Sequence, residues 1–495
     1  MNYKLSSTKS ILISISAIAL VAILIIPYTR NGLWFDDSLN SETWGLVNRF
    51  HTNWLNFSLQ VCLKWLTSYG RILLCWPAIY GFFYYVHDAL TVRVCHVSLL
   101  IIHLLLTIWL LKKLGLSGRA TGFFILLLPI MFQIRNNDDP IASYAMFSQA
   151  LGILLVVSLM ALRCACIQAN IRWLALSGLL AALSTTFYEE NVVYLPMALV
   201  ATALSFRARR AAALFVVSAP FALLFIGIFL AKHGATLPYD GSQFGRAADI
   251  PVTYIKQLFS ALPGSFYATS GRTEISLTKL IELTFSSPLA LTVAALWFLM
   301  AAAVLRSHAR RDGAPNFLIG GAAALLFLPP LLISVSAKYQ ATLAWGGAHI
   351  PVYYEYFGLA LMIAIIVDRT VKNASIAALV GALLLSITLA MNWTMNMHQS
   401  AKFDAVFREP RESFVAALGS GLLRDVHDGD ILRMDGQPIF INGNLIFQTI
   451  GKRIVLEREA AIFGWFEAAP RPHARRFKIW RDAANGHWNL ENLSQ

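Results

Sequence analysis

The sequence predicts an all-α polytopic membrane protein followed by a small α/β domain. Three observations predict it. Of 495 residues, 57% are hydrophobic and only 14% charged, with a mean hydropathy of +0.59, a balance foreign to soluble domains of this size. Apolar runs long enough to cross a bilayer recur through residues 1–393. From about residue 394 the chain turns polar, with thirteen Lys and Arg against twelve Asp and Glu.

Membrane spans are expected at 10–27, 92–111, 120–134, 144–162, 173–187, 192–206, 211–231, 286–305, 317–336, 353–367 and 374–393, eleven helices in all. The first run is preceded by only Lys4 and Lys9, and Ile25-Ile26-Pro27-Tyr28 makes a poor cleavage site, so it is expected to be a retained helix and not a signal peptide. Residues 72–86 are apolar but short for a span. They are assigned instead to one long exterior loop, 28–91, whose helices lie amphipathic or re-entrant on the membrane with their aromatic residues at the interface. A second long exterior loop covers 232–285. The domain at 394–495 is expected outside, with strand-like runs at Ile439-Phe440-Ile441 and Arg453-Ile454-Val455-Leu456.

The net charge of +13 has one explanation in this tracing. Lys4, Lys9, Lys112, Lys113, Arg119, Arg163, Arg172, Arg207, Arg209, Arg210, Arg306, Arg310, Arg311, Arg369 and Lys372 fall on one side, opposed only by Asp312 and Asp368. That is the positive-inside pattern, so this side is the cytoplasm. The amino terminus is then inside and the carboxyl terminus outside, in an inner (plasma) membrane, and nucleic acid is excluded as a partner. Counting 72–86 as a span would move every later basic loop to the exterior. Cys62 and Cys75 fall outside, where a disulfide is permitted. Cys164 and Cys166 fall inside, where thiols stay reduced. No cysteine spacing suggests zinc.

The same tracing gathers acids on the exterior. Asp36-Asp37 follow the first span directly, Asp138-Asp139 fill the short loop after the third, and Glu189-Glu190 the loop after the fifth. Carboxylates at membrane depth are costly to keep ionised and tend to mark sites, although a solvated cap or an ion pair with Arg135 or Arg93 is the plain alternative. Acids converging on one cavity suit general-base chemistry or, through Asp37, Asp138 and Asp139, a divalent cation, which the sequence admits but does not require. Arg71, where the first loop turns into its short apolar segment, suits bidentate phosphate binding or an interface anchor. Lys338 is a second cation on this face. Tyr339, His349 and Tyr353-Tyr354-Glu355-Tyr356 are expected chiefly as an interface belt.

This pattern resembles the GT-C superfamily of membrane glycosyltransferases, which includes protein O-mannosyltransferases, aminoarabinose transferases of lipid A and serotype-converting glucosyltransferases. Asp36-Asp37 match the family's acidic pair after the first helix, and Asp138-Asp139 its second acidic site. Arg71 lies near the family's basic residue for lipid phosphate. The likeness covers roughly the first 210 residues. It implies inverting transfer of a sugar from a polyprenyl-phosphate donor to a glycan, lipid or protein outside the cytoplasm. Asp36 would be the base and Asp37 its orienting partner. Asp138, Asp139, Glu189 and Glu190 would form an acceptor or secondary acidic site, and Arg71 and Lys338 would hold the lipid phosphate.

Two rivals remain. A lipid-linked oligosaccharide polymerase or ligase would use cations of a late exterior loop, here His233, Arg246 and Arg272. A secondary transporter would show broken helices at the midplane and often a repeated half, and neither is evident. The topology is directly testable. A reporter fused within residues 112–119 should behave as cytoplasmic; exterior activity there would overturn the assignment of every acidic loop.

Overall fold

A computed structural model of the chain describes residues 25–29, 33, 36–135, 139–141, 146–237, 239, 241, 243–269, 275–306, 315–371, 375–435, 441–457, 470–482 and 484–493, with Asp36 in backbone only. Of the first expected span, 10–27, only the end falls among them. Each of the later apolar stretches is met by a helix. Six of these are long and apolar enough to cross a membrane: Ala89–Lys113, Phe147–Gln168, Arg207–Gly234, Pro288–Arg306, Asn316–Ser334 and Ile376–Gly419. Eleven spans are therefore not carried by length and composition. Gly118–Met131 and Ile171–Phe187 are apolar but shorter, with 14 and 17 residues. Tyr194–Ser205 has 12, and Val352–Thr370 carries Glu355, Asp368 and Arg369.

The helix over the disputed segment is Trp76–Tyr85, only 10 residues. At 1.5 Å per residue it reaches about half of a bilayer's hydrocarbon core. Beside it in sequence, Trp54–Tyr69 leaves Leu55, Leu59, Leu63 and Leu66 exposed at helical spacing, an apolar ridge of the kind an interfacial helix presents.

The chain divides into two compact units. One comprises Met1–Thr29, Trp65–Leu73 and Cys95–Gln399. Its local logic shows at the end of Gly118–Met131. Ser117 starts this helix by accepting from Ala120 N, and Pro129 sits one turn before its end. The helix continues through Pro129 to Met131, the chain runs extended from Phe132, and the last carbonyls of a helix have no partner within it. The carbonyls left open are taken by amides of the helix Ile376–Phe403. Asn392 Nδ2 donates to the oxygens of Ile130 and Phe132 at 3.0 and 2.7 Å. Asn396 Nδ2 donates to Phe132 O, and its Oδ1 accepts from Ile134 N at 2.8 Å.

The second unit comprises Arg30–Lys64, Leu74–Val94 and Ser400–Gln495, so it joins much of the stretch 28–91 to the carboxyl-terminal domain. Its sheet has the order β2-β1-β3-β4, with β1 Ile431–Asp435, β2 Val455–Leu456, β3 Arg476–Arg481 and β4 Trp488–Asn492. β1 runs parallel to β2 and β3, and β4 is antiparallel to β3. Alternation puts Phe477 and Ile479 of β3 into a core with Phe414, Leu418, Leu432, Ile446 and Ile454. The expected run at Arg453–Leu456 contains β2. Residues 439 and 440 of the other run lie outside the described residues. Cys62 and Cys75 both stand as free thiols, so the disulfide that an exterior location permits is not formed.

The helix Thr43–Arg49 docks on the helix Gly443–Ile450. Gly45 N donates to Gln448 Oε1, and Arg49 reaches Asn444 Oδ1 at 3.1 Å and Ile454 O at 2.9 Å. Just before it, Glu42, 1% exposed, pairs with Arg411 at 3.2 Å. The approach is so close that a Cβ on Gly45 would lie 2.2 Å from the Asn444 carbonyl oxygen. Gly45→Ala should therefore cost about 1–3 kcal/mol by overpacking, visible as a lowered Tm of the purified protein. An unchanged Tm would show that the two helices are not held at this distance.

Candidate functional site

The acidic pairs meet different fates. In the second unit, Asp36 and Asp37 begin the short helix Asp36–Asn40, which follows the first apolar run. Asp37 is 3% exposed, so its carboxylate is held inside the protein and not displayed to solvent. Of the second pair, Asp138 lies outside the described residues. Asp139 is fully buried. Its Oδ2 accepts from Arg135 N at 2.9 Å and its Oδ1 from Ile141 N at 2.8 Å. Both oxygens thus close the loop that carries them. Among the described residues, no group of three or more His, Cys, Asp or Glu side chains is placed to hold a metal ion. Both Asp139 oxygens accept backbone N–H groups, and no step here is assigned to a cation.

Arg135 organises a buried polar cluster of the first unit. It is fully buried, and its guanidinium donates to Gly346 O at 3.2 Å, Ser260 O at 2.7 Å and the hydroxyl of Tyr356. Burial pulls its pKa down, but Tyr356 and Asp139 more than offset that, and the net shift is upward. Gly346 has φ +70°, and a Cβ there would come within 2.5 Å of Ser265 O, so the acceptor loop tolerates only glycine. Around this group the expected interface belt is instead core. Tyr353, Glu355 and Tyr356 are 0% exposed, Tyr354 2% and His349 3%. An amide, Gln257, ties them together. It donates to Glu355 Oε1 at 2.8 Å and accepts from His349 N at 3.0 Å. Tyr354 donates to Asn191, whose Nδ2 reaches Ser184 Oγ at 2.8 Å and Leu151 O at 3.2 Å.

Glu189 pairs with Arg71, and not with Arg135 or Arg93, the ion-pair alternative that the sequence left open. Arg71 Nη2 meets both carboxylate oxygens at 2.8 Å and Nε meets Oε1 at 3.0 Å. The guanidinium also lies over three rings, with centroids at 5.6 Å for Trp65, 6.0 Å for Tyr188 and 5.1 Å for Tyr239. Burial lowers the Arg71 pKa, Glu189 raises it more, and the net is above the ordinary arginine value. The segment is set by Gly70 at φ +63°, where a Cβ would lie 2.7 Å from Lys232 Cα, and by Leu237 N donating to Ser68 O at 2.8 Å. Lys338 lies over the Tyr339 ring at 5.3 Å. Burial first, and Tyr339 second, raise the Tyr188 hydroxyl well above its ordinary pKa. Glu190, next to the half-exposed Glu189, is 1% exposed, and neither of its oxygens has a hydrogen-bond partner. Of the cations expected in the second long loop, His233 is exposed against the Phe229 ring and Arg246 N bonds Gln340, while Arg272 lies outside the described residues.

An apolar cavity of the same unit is lined by Leu100, Leu104, Ile108, Ile125, Leu128 and Leu389, among others, and carries Tyr28, Asn392 and Asn396 as its polar groups. Sequence reasoning missed Gln133, Gln257, Asn392 and Asn396, which carry no charge and so leave no topological signal. Gln133 Nε2 donates to Leu262 O at 2.8 Å.

No protein-family model, curated protein or solved structure matches this chain. The chemistry of the site therefore has to be argued from its own groups.

Glu190 gives a pH test. Burial first, and the charge of Glu189 second, push its carboxyl well above the ordinary value of 4.5. The folded protein then keeps a proton that the unfolded chain releases above that pH. The group's contribution to stability is complete below about pH 4.5 and drains away as the pH rises toward the folded pKa. E190Q cannot ionise. Its Tm relative to wild type should rise steadily as the pH climbs above about 4.5. A difference that stays level would show Glu190 to be ionised in the fold.

Proposed function

We propose that this chain is an integral membrane glycosyltransferase. It would move a sugar from a polyprenyl-phosphate donor to a hydroxyl of a surface glycan, lipid or protein on the extracytoplasmic face. The observation that carries this reading is the burial of Asp37 in a short helix directly after the first apolar run. A carboxylate there does not serve solubility, and buried acids at such a place are typically functional.

The chemistry asks for three things. The acceptor hydroxyl must lose a proton as it attacks the anomeric carbon, and a carboxylate is the natural base; Asp36 takes that role and Asp37 orients it. The bond between the anomeric carbon and the phosphate oxygen breaks as the new glycosidic bond forms, with inversion. The departing lipid phosphate carries negative charge, which fixed cations offset. Arg71 and Lys338 supply them. The aliphatic lining of the cavity between Leu100 and Leu389, with its few amides, suits an isoprenoid chain. Eleven spans, an exterior carboxyl terminus and an inner-membrane location belong to the same proposal and are supported by the one-sided basic loops.

Asp36→Asn should lower sugar transfer from a polyprenyl-phosphate donor by at least about 100-fold, the lower end of what general-base catalysis supplies, while insertion and expression stay unchanged. Full activity in that variant would remove the mechanism.

A further inference from the structure

Arg71 is held by two devices of different kinds. The rings of Trp65, Tyr188 and Tyr239, with centroids 5.1 to 6.0 Å away, fix the guanidinium whatever anion it carries. Trp65 and Tyr239 also brace each other edge to face at 5.4 Å, so the cage keeps its shape on its own. Glu189 is the second device. Its carboxylate fills the planar fork of donors, but its side chain is 42% exposed while that of Arg71 is 14% exposed. A bond whose only purpose was to neutralise a buried arginine would gain from a buried, fixed acceptor, as Arg135 has. Here the anion stands on the solvent side and the cation stays behind.

From this geometry we infer that Glu189 is a resident stand-in for a ligand's phosphate. A phosphate group of an amphiphilic donor takes the Arg71 fork by displacing the Glu189 carboxylate into water, while the aromatic cage keeps the guanidinium in place. A phosphate presents the same pair of oxygens to the fork as a carboxylate does and carries more charge. The neighbouring acid, Glu190, does not compete for the fork: it is 1% exposed and neither of its oxygens has a hydrogen-bond partner. Glu189 thus sets how tightly the site holds its anion. Without such competition, a lipid phosphate bound at a caged arginine would leave slowly and limit turnover. The inference rests on the reading of Arg71 as the lipid-phosphate group and adds a function for its partner.

The test is calorimetric binding of a short-chain prenyl phosphate, and separately of inorganic phosphate, to the detergent-solubilised full chain. Wild type should bind the prenyl phosphate, and Glu189→Gln should bind it about tenfold more tightly, since nothing has to be displaced. Glu189→Ala should tighten it similarly, which guards against poor folding of either variant alone. Arg71→Gln should lose binding. Inorganic phosphate should follow the same order, more weakly; if it binds as tightly as the prenyl phosphate, the site's ligand is a free phosphate and the amphiphilic donor is overturned. If both Glu189 variants bind no tighter than wild type while Arg71→Gln still abolishes binding, the exchange is overturned and the lipid-phosphate reading stands. If Arg71→Gln binds like wild type, the anion sits elsewhere and the exchange is wrong. If no variant binds a prenyl phosphate, the donor class itself fails and takes the exchange with it.

Discussion

A fully buried guanidinium cannot shed its charge, so the protein around Arg135 has to bring acceptors to it. That requirement arranges this part of the first unit. The helix Ile250–Ser260 ends where Ser260 O can be reached, and the loop before Val352–Thr370 turns at a glycine so that Gly346 O can be reached. The same helix, Val352–Thr370, enters with Tyr356 facing the guanidinium. Asp139 then closes the loop from which Arg135 springs. None of these acceptors is available to solvent, and none is replaceable by a ligand without dismantling the packing.

Arg71 is built on the opposite plan. Its acceptor is a single, half-exposed carboxylate, and its position is kept by aromatic faces that make no demand on which anion is present. The contrast between these two arginines of one unit separates a structural ion network from an exchangeable site more clearly than either shows alone. It also divides the acids that the sequence grouped together. Asp139 belongs to the structural network, Glu189 to the exchangeable site, and Glu190 to the buried interior without a hydrogen-bond partner.

Much of this was legible beforehand. Helices stand at each later apolar stretch because apolar runs in a membrane must satisfy their backbone internally, and only a helix does so within one segment. The shortness of residues 72–86 and the one-sided basic loops both argued against a span there, and a ten-residue helix occupies the place. Arg71 was visible as a lone cation at a turn. Its partner was not, because Glu189 lies 118 positions away and sequence gives no distance between loops. The tyrosines around Glu355 looked like an interface belt because a belt and a buried polar cluster have the same composition; only packing tells them apart. Gln257 and Asn396 act through single long-range hydrogen bonds, which neither periodicity nor charge reveals. β3 was plainly alternating, with Phe477 and Ile479 between Arg, Lys and Trp, but the flanking charge hid it beside the more hydrophobic runs.

The central claim is that the acidic and cationic groups of the exterior face serve transfer of a sugar. Mass analysis of the surface glycans, lipids and proteins of cells with and without this chain tests it most directly. The account predicts a single hexose or pentose increment on one class of surface molecule, present with the chain and lost without it. Identical mass profiles, with the protein inserted and stable, would contradict it.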